Sequence, residues 1–138
     1  MRDDVEGDEP VAVGPEDPVR SIMVWPVVQV EGRTTLREVS ERMRAAGIGA
    51  VMVLDRGVGT GIMTERDVVR ALAEGGDPDA IWAADVMGVQ TLWAKPDDTI
   101  GSVAELMRLA EVRHVPVREH GEIVGIVSVR DILDAFLL

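Results

Sequence analysis

The most constraining feature of this chain is that it repeats itself at an offset of 64 residues. The stretch GIMTERD at residues 61–67 is matched by GIVSVRD at residues 125–131. The same offset, without a gap, pairs positions along both halves: Met23 with Met87, Thr35 with Thr99, Val53 with Val117 and Gly57 with Gly121. Self-similarity at a fixed period indicates two copies of one supersecondary unit. Each copy is too short to bury a good core alone, so the two copies are expected to pack on each other.

Length and composition restrict the class of protein. The chain has 138 residues, 46% of them hydrophobic, which suits one compact domain or a fused pair of small repeats. It has no cysteine, which excludes a disulfide scaffold and a cysteine-based metal site. No apolar run approaches the roughly 20 residues that span a bilayer, and no secretory signal is visible. We therefore expect a soluble cytoplasmic protein without a membrane segment.

The negative charge is concentrated at the N-terminus. The net charge is −11, and seven of the acidic residues lie within residues 1–18 beside a single arginine. This stretch also holds three prolines and has no helical or strand period, so we predict an acidic disordered tail over residues 1–18. An acidic protein repels phosphate backbones, which makes nucleic acid a poor candidate partner.

The hydrophobic period predicts a β-α-β-β-α order in each copy and a mixed α+β class. Thr35 with Glu38 has the pattern of a capping box at a helix start, and Thr64 and Ser128 are predicted to begin the last helix of their copies. A connecting helix is expected from Asp77 to Met87. The predicted boundaries are residues 19–76 for the first repeat, 77–84 for the connecting segment and 85–138 for the second repeat. The predicted strands are 27–30, 50–54, 60–63, 91–94, 114–118 and 123–127, and the apolar residues predicted to face inward on the last helices are Val68, Val69, Leu72, Ile132, Leu133 and Phe136.

The repeated motif Gly-x-x-Thr/Ser-x-x-Asp places three useful groups where a strand ends and a helix begins. The hydroxyl of Thr64 or Ser128 lies at the helix N-cap, beside free N–H groups and the positive end of the helix dipole, where an anion is favoured. Asp67 or Asp131 follows one turn later, and a carboxylate can accept two hydrogen bonds from the adjacent hydroxyls of a ribose. Such a helix start has the groups of a nucleotide half-site.

A purely structural interpretation of the same motif stays open. Thr-x-x-Asp is also a plain capping box, and a duplication could have copied two caps without any ligand. The sequence shows no catalytic triad or paired carboxylates and no nucleophile beside a base, so no enzyme is predicted. His114 and His120 are the only histidines, and without cysteine they give no metal site.

The duplicated pattern resembles a pair of CBS domains, the regulatory module named after cystathionine β-synthase. The elements that carry the resemblance are Asp85-Val86-Met87, Arg113-His114-Val115-Pro116-Val117 and the closing GIMTERD of the first copy. The resemblance covers nearly everything from Val19 onward and is closest to small stand-alone bacterial proteins. It implies two repeats packed with pseudo-twofold symmetry, and clefts that bind AMP, ADP, ATP or S-adenosylmethionine as a regulatory ligand.

The resemblance also implies roles for particular residues. Asp67 and Asp131 would hold ribose, Thr64 and Ser128 would meet phosphate, and backbone and apolar groups would enclose the base. The residues implied to enclose the base or to face the phosphate are Val28, Ala50, Thr91, Leu92, Arg66, Arg130, Arg113 and His114. Ala50 stands where the second copy has His114, so we expect Asp131 to matter more for binding than Asp67.

The sequence favours two hypotheses about function. The first is a ligand-sensing regulatory module that binds an adenine nucleotide or adenosine derivative in the cleft between repeats and signals to an unknown protein partner. The alternative is a ligand-free protein-interaction module. The C-terminal residues 132–138 contain more apolar side chains than one small helix buries, so the resemblance and this excess together predict a homodimer.

Overall fold

The computed structural model describes residues 13–57, 59–89 and 92–137, and within them it has the predicted α+β composition. These residues form two compact units. The first-copy unit comprises Pro26–Leu92, and the second-copy unit combines the described residues up to Trp25 with those from Trp93 onward. The strands are β1 Gln29–Glu31, β2 Ala50–Asp55, β3 Gly59–Thr64, β4 Gly88–Val89, β5 His114–Glu119 and β6 Glu122–Ser128. The helices are α1 Leu36–Ala46, α2 Glu65–Ala73, α3 Ala83–Val86, α4 Ile100–Ala110 and α5 Val129–Phe136.

The first-copy unit is a four-stranded sheet covered by helices. Its strand order is β1-β2-β3-β4, with β1 parallel to β2 and the other neighbours antiparallel. Helix α1 connects the two parallel strands and begins with the predicted capping box of Thr35 and Glu38. The core of this unit is formed by Val30, Leu36, Val39, Met43, Val51, Val53, Met63 and Ala83. Strand β3 leads directly into α2, because Thr64 is both the last residue of the strand and the N-cap of the helix.

The second-copy unit has the same order of segments with shorter flanking strands. Its hairpin β5-β6 is flanked by single bridges, Ala94 parallel to Val117 and Val24 antiparallel to Ile126. These bridges stand 64 residues from the β1-β2 pair Val30–Val53 and from the β3-β4 pair Ile62–Gly88. The predicted strand 91–94 is thus reduced to one bridge, and Thr91 lies outside the described residues.

The outermost strand position of each unit is filled by the segment that precedes the other copy. Met23 packs against Gly125 in the second-copy unit, and Met87 packs against Gly61 in the first-copy unit. The segment before Met23 also contributes Val19 to the core of the second-copy unit. The segment before Met87 contributes Ala83 to the core of the first-copy unit. The segment that precedes the second copy therefore belongs to the sheet of the first-copy unit, and the segment that precedes the first copy pairs with the hairpin of the second-copy unit.

The predicted connecting helix is wrong over most of its length. Residues 78–80 form a turn, and only Ala83–Val86 are helical. The carbonyl oxygens of Pro78 and Ile81 accept hydrogen bonds from the backbone amides of Arg37 and Leu36, each at 2.9 Å. These carbonyl oxygens accept from the first amides of α1, which have no acceptor within their own helix. In a continuous helix over this segment, the same carbonyl oxygens would accept from amides of that helix.

A matching contact involves residues 13–17 of the second-copy unit. Residues 1–12 of the predicted acidic tail lie outside the described residues. Further along it, the carbonyl oxygens of Pro15 and Asp17 accept hydrogen bonds from the amides of Gly101 and Ile100, both at 2.9 Å. Val13 packs against the core of this unit. Residues 13–17 therefore supply hydrogen-bond acceptors to the first backbone amides of α4, as residues 78–81 do for α1.

The apolar faces of α2 and α5 are only partly buried, which corrects the predicted inward positions. Val68 is half-buried and Ile132 is buried, as expected. Val69 and Leu72 on α2 are 65% and 47% exposed, and their counterparts Leu133 and Phe136 are 53% and 44% exposed. The described chain therefore covers only part of the apolar stripe of each helix.

Candidate functional site

The start of α2 in the first-copy unit is a complete capping box. The Thr64 amide donates to Asp67 Oδ2 at 2.8 Å, and the Asp67 amide donates to Thr64 Oγ1 at 3.4 Å. The amide of Glu65, the first helical residue, donates to the carbonyl oxygen of Gly49 at 3.0 Å. The amide of Arg66 has no acceptor within the helix, as is general for the first turn. The Thr64 hydroxyl donates to Asp67 Oδ2 at 3.1 Å, so the Arg66 amide is the open donor at this helix start.

The start of α5 in the second-copy unit repeats this arrangement. The Ser128 amide donates to Asp131 Oδ2 at 2.8 Å, and the Asp131 amide donates to Ser128 Oγ at 3.0 Å. The amide of Val129 donates to the carbonyl oxygen of Arg113 at 2.9 Å. Arg130 takes the place of Arg66, with its amide again outside the intrahelical pattern. Both copies thus build the same backbone frame, and the capping-box geometry that the sequence left open is present in each.

The two carboxylates differ in their second oxygen. Asp67 Oδ1 accepts a hydrogen bond from Arg70 Nη1 at 3.3 Å, an ion pair three residues along the helix. The matching position in the second copy is Asp134, which is acidic and cannot make this bond. Among residues 13–57, 59–89 and 92–137, no side chain pairs with Asp131 Oδ1. A carboxylate oxygen has two lone pairs, so the Asp131 side chain keeps acceptor capacity while it caps the helix.

Strand pairing places two other predicted residues beside these helix starts. Ala50 is the cross-strand partner of Thr64, and His114 is the cross-strand partner of Ser128. Ala50 is buried, whereas His114 is half-buried. Each helix start is therefore bordered by the first residue of the neighbouring strand, which is apolar in the first copy and an imidazole in the second.

The remaining predicted residues are divided between the two units. Val28 is half-buried against the core of the first-copy unit, and its carbonyl oxygen accepts from the Met52 amide at 3.0 Å. Leu92 is half-buried and is grouped with the first-copy unit. Arg66, Arg113 and Arg130 are exposed. The first-copy unit thus brings together Val28, Ala50, Thr64, Arg66 and Asp67, and the second-copy unit brings together Arg113, His114, Ser128, Arg130 and Asp131.

Sequence analysis overlooked residues that set the charge of each site. Arg70 lies three residues after Asp67, a spacing that puts two side chains on one helix face and could have revealed the pair. Glu65, at the first position of α2, has Val129 as its counterpart in α5. The comparison of the two copies position by position, rather than of their shared motif, is the signal that identifies both.

Among the described residues, no group of three or more His, Asp or Glu side chains is placed to hold a metal ion. No helix there is long and apolar enough to cross a membrane.

Comparison with known proteins links this geometry to a family. The model of the CBS domain matches residues 19–74 and again residues 83–138. The CBS domain-containing protein YhcV of Bacillus subtilis is 28% identical over 83% of this chain and 81% of its own length. The uncharacterized protein MK0525 of Methanopyrus kandleri is 33% identical over 72% of this chain, but this chain spans only 52% of it. The crystal structure of the CBS-domain containing protein ATU1752 from Agrobacterium tumefaciens has a TM-score of 0.78 and 30% identity, covering 92% of this chain and 98% of that one.

Proposed function

The chain belongs to the CBS-domain family, with two copies of the domain in tandem, and from this premise we propose that it is a regulatory module for an adenosine derivative. The ligand binds at the helix starts of α2 and α5, and its presence is passed on to a protein partner. The observation that carries the proposal is the second oxygen of Asp131. It keeps acceptor capacity beside a cap hydroxyl and the Arg130 amide, and no described residue pairs with it.

The proposed contacts follow from the groups at each helix start. The carboxylate oxygen accepts from the ribose diol, and the second-position amide and the cap hydroxyl donate to a phosphate or to another acceptor. A solved CBS domain pair, that of protein MJ0100, is a complex with methylthioadenosine and S-adenosylmethionine. At 24% identity that likeness bears on the fold alone. The ligand class for this chain, which includes AMP, ADP, ATP and S-adenosylmethionine, therefore rests on the helix starts.

Transmission requires that the ligand binds two arrangements of the protein with different affinities. We propose a homodimer as the transmitting assembly, because Val69, Leu72, Leu133 and Phe136 expose apolar surface at matching positions of both copies. Solved relatives include a hexameric CBS-CP12 protein from cyanobacteria, which shows that one protein with this fold assembles. We place the protein in the cytoplasm, and we propose no catalytic, nucleic-acid-binding or membrane-inserting role.

A thermal-shift titration tests the proposal. A ligand at 100-fold excess over its Kd stabilises the folded state by about 2.7 kcal/mol. Each kcal/mol shifts the melting temperature of a chain of this size by roughly 3–5 °C, so we expect a rise of roughly 8–14 °C. AMP, ADP, ATP, adenosine and S-adenosylmethionine are the compounds to use, with guanosine as the matched control. If none of them shifts the melting temperature at millimolar concentration, the adenosine proposal is wrong.

The exposed faces of α2 and α5 favour a second candidate, a protein-interaction module that works without a small ligand. In that case the same apolar positions bind a partner directly, and the capping boxes only hold the helices. Sedimentation of the ligand-free protein distinguishes the two when it is combined with the titration. A stable assembly with no response to adenosine compounds would favour the interaction module.

A further inference from the structure

The two helix starts share one backbone frame but carry different charges in the first turn and beside it. Around α2 the first helical residue is Glu65, and the carbonyl that accepts its amide belongs to Gly49. Around α5 the first helical residue is Val129, and the corresponding carbonyl belongs to Arg113. The second copy therefore has the apolar Val129 where the first has the anionic Glu65. It has Arg113, with its guanidinium group, where the first has Gly49.

From this difference we infer that the helix start of α5 takes a phosphorylated adenosine and that of α2 takes an adenosine derivative without a phosphate. The inference rests on the proposed function and assigns a ligand class to each of its two binding positions. It concerns selectivity, which neither the shared motif nor the family match specifies for this chain.

Electrostatics at α5 favours a phosphate. The 2.9 Å hydrogen bond from the Val129 amide to the Arg113 carbonyl fixes the Arg113 backbone next to the first turn of the helix. Arg130 occupies the second helical position, so two exposed guanidinium groups belong to this helix start. No ion pair holds either group among the residues that the structure describes. Guanidinium forks match phosphate oxygens in geometry and charge. Asp134 is the nearby acid, but it lies in the second turn, away from the cap.

Electrostatics at α2 disfavours a phosphate. Glu65 is exposed at the first helical position, beside the amide and hydroxyl that would receive the anion. A like charge in the first turn of the helix opposes a phosphate that carries between one and two negative charges. Arg70 is paired with Asp67. Arg66 has the same position and charge as Arg130, so neither arginine gives α2 the additional positive charge that Arg113 gives α5. A neutral ribose, or a ligand with a positive group, meets no such repulsion.

The test isolates each helix start with a substitution in the other. Asp67→Asn weakens the α2 start, so the tighter binding that remains reports the α5 start, and in Asp131→Asn the tighter binding that remains reports the α2 start. Calorimetric titrations with AMP and with adenosine give two dissociation constants for each protein. We expect AMP to bind about tenfold tighter than adenosine in Asp67→Asn, the gain from one charge-assisted hydrogen bond at an exposed position. In Asp131→Asn we expect adenosine to bind at least as tightly as AMP.

Single charge substitutions that leave both caps in place provide the matched control. In the Asp67→Asn protein, Arg113→Gln should bring the ratio of the adenosine and AMP dissociation constants down towards one. In the Asp131→Asn protein, Glu65→Val should raise the same ratio, because it gives α2 the residue of α5. Circular dichroism confirms that each variant is folded.

The outcomes separate the two proposals. If wild-type protein binds neither compound, the proposed function and the selectivity are both wrong. If binding is lost in the double variant Asp67→Asn/Asp131→Asn but the AMP preference is equal in the two single variants, the binding positions stand and the assigned selectivity is wrong. An AMP preference in Asp131→Asn that is larger than in Asp67→Asn would also overturn it.

Discussion

The helix starts of α2 and α5 have the same hydrogen-bond frame but differ in the acceptor that remains. In both, an aspartate three residues after the cap uses Oδ2 to close the capping box. In the first copy Arg70 donates to Oδ1 of Asp67. In the second copy the corresponding residue is Asp134, and no side chain of the described residues pairs with Oδ1 of Asp131. A duplicated motif can therefore preserve a fold in both copies while a single neighbouring residue changes what each copy can bind.

The largest expected difference between the copies is in ligand affinity. Asp131→Asn keeps the size of the side chain and some capping ability but removes the ionised acceptor. We expect AMP affinity at the α5 start to fall by roughly 1.5–3 kcal/mol, or about 10- to 150-fold. Asp67→Asn should have a smaller effect, because the Asp67 carboxylate is already shared with Arg70. Calorimetry of the two variants measures both losses, and equal losses would remove the distinction between the copies.

The contacts of Met87 with Gly61 and of Met23 with Gly125 also differ between the two units. A Cβ added at Gly61 would meet the sulfur of Met87 and also the backbone carbonyl oxygen of Gly88 at 2.8 Å. The three atoms nearest to a Cβ added at Gly125 all belong to the flexible side chain of Met23. We expect Gly61→Ala to lower the free energy of unfolding by about 1–3 kcal/mol, the usual cost of overpacking, and Gly125→Ala to cost less. Urea unfolding of both variants is the measurement, and a larger cost at Gly125 would contradict these packing contacts.

The ends of α1 and α4 offer a third comparison. Both helices end on a residue in the left-handed conformation, Gly47 with φ 66° and Glu111 with φ 57°. That conformation costs a residue with a Cβ roughly 1–2 kcal/mol, part of which glycine loses again as chain entropy. Glu111→Gly should therefore stabilise the protein by about 0.5–1 kcal/mol. Glu111→Ala serves as the control, since it removes the charge but keeps the Cβ, and an equal gain from both would show that strain is not the cause.

The smallest effect is expected from the ion pair that distinguishes the two carboxylates. Arg70→Gln weakens the hold on Asp67 Oδ1 and should raise adenosine affinity at the α2 start. An exposed pair is worth about 0.2–1 kcal/mol, so the gain is at most about fivefold. The measurement uses the Asp131→Asn background, with Arg44→Gln as a control that removes the same charge from the exposed face of α1. A gain of the same size from the control would mean that net charge, and not the pair, is responsible.

The sequence predicted the repeated order of strands and helices because that order depends on local signals. The capping residues Thr35, Thr64 and Ser128 begin their helices as expected, and the hairpin strands start at Ala50 and His114. Periodicity and capping are properties of neighbouring residues, and the 64-residue offset doubled each of these signals.

The exchange of segments could not be predicted in the same way. The offset aligns Met23 with Met87, but it does not say which copy each methionine packs on. The apolar stripes of α2 and α5 were also ambiguous, because a stripe predicts a covered face and not what covers it. Val69 and Leu133 accordingly proved exposed within the described chain. These features depend on contacts between residues that are distant in sequence.

The sequence predicted the positions of the two aspartates in the candidate site but not the difference between their surroundings. The positions of Asp67 and Asp131 followed from the motif, and the structure brings each to its cap. The difference between them arises from Arg70 and Asp134, which lie outside the motif and have opposite charges. A motif search finds what the copies share, whereas selectivity depends on what they do not share.

The most direct test of the account is a crystal structure of the protein with AMP. We predict that the ribose hydroxyls lie ~3 Å from Asp131 Oδ1, within hydrogen-bond distance, while Oδ2 still accepts from the Ser128 amide. The phosphate should face the start of α5, towards Arg113 and Arg130. A structure in which AMP is bound elsewhere, with Asp131 acting only as a helix cap, would contradict the central claim.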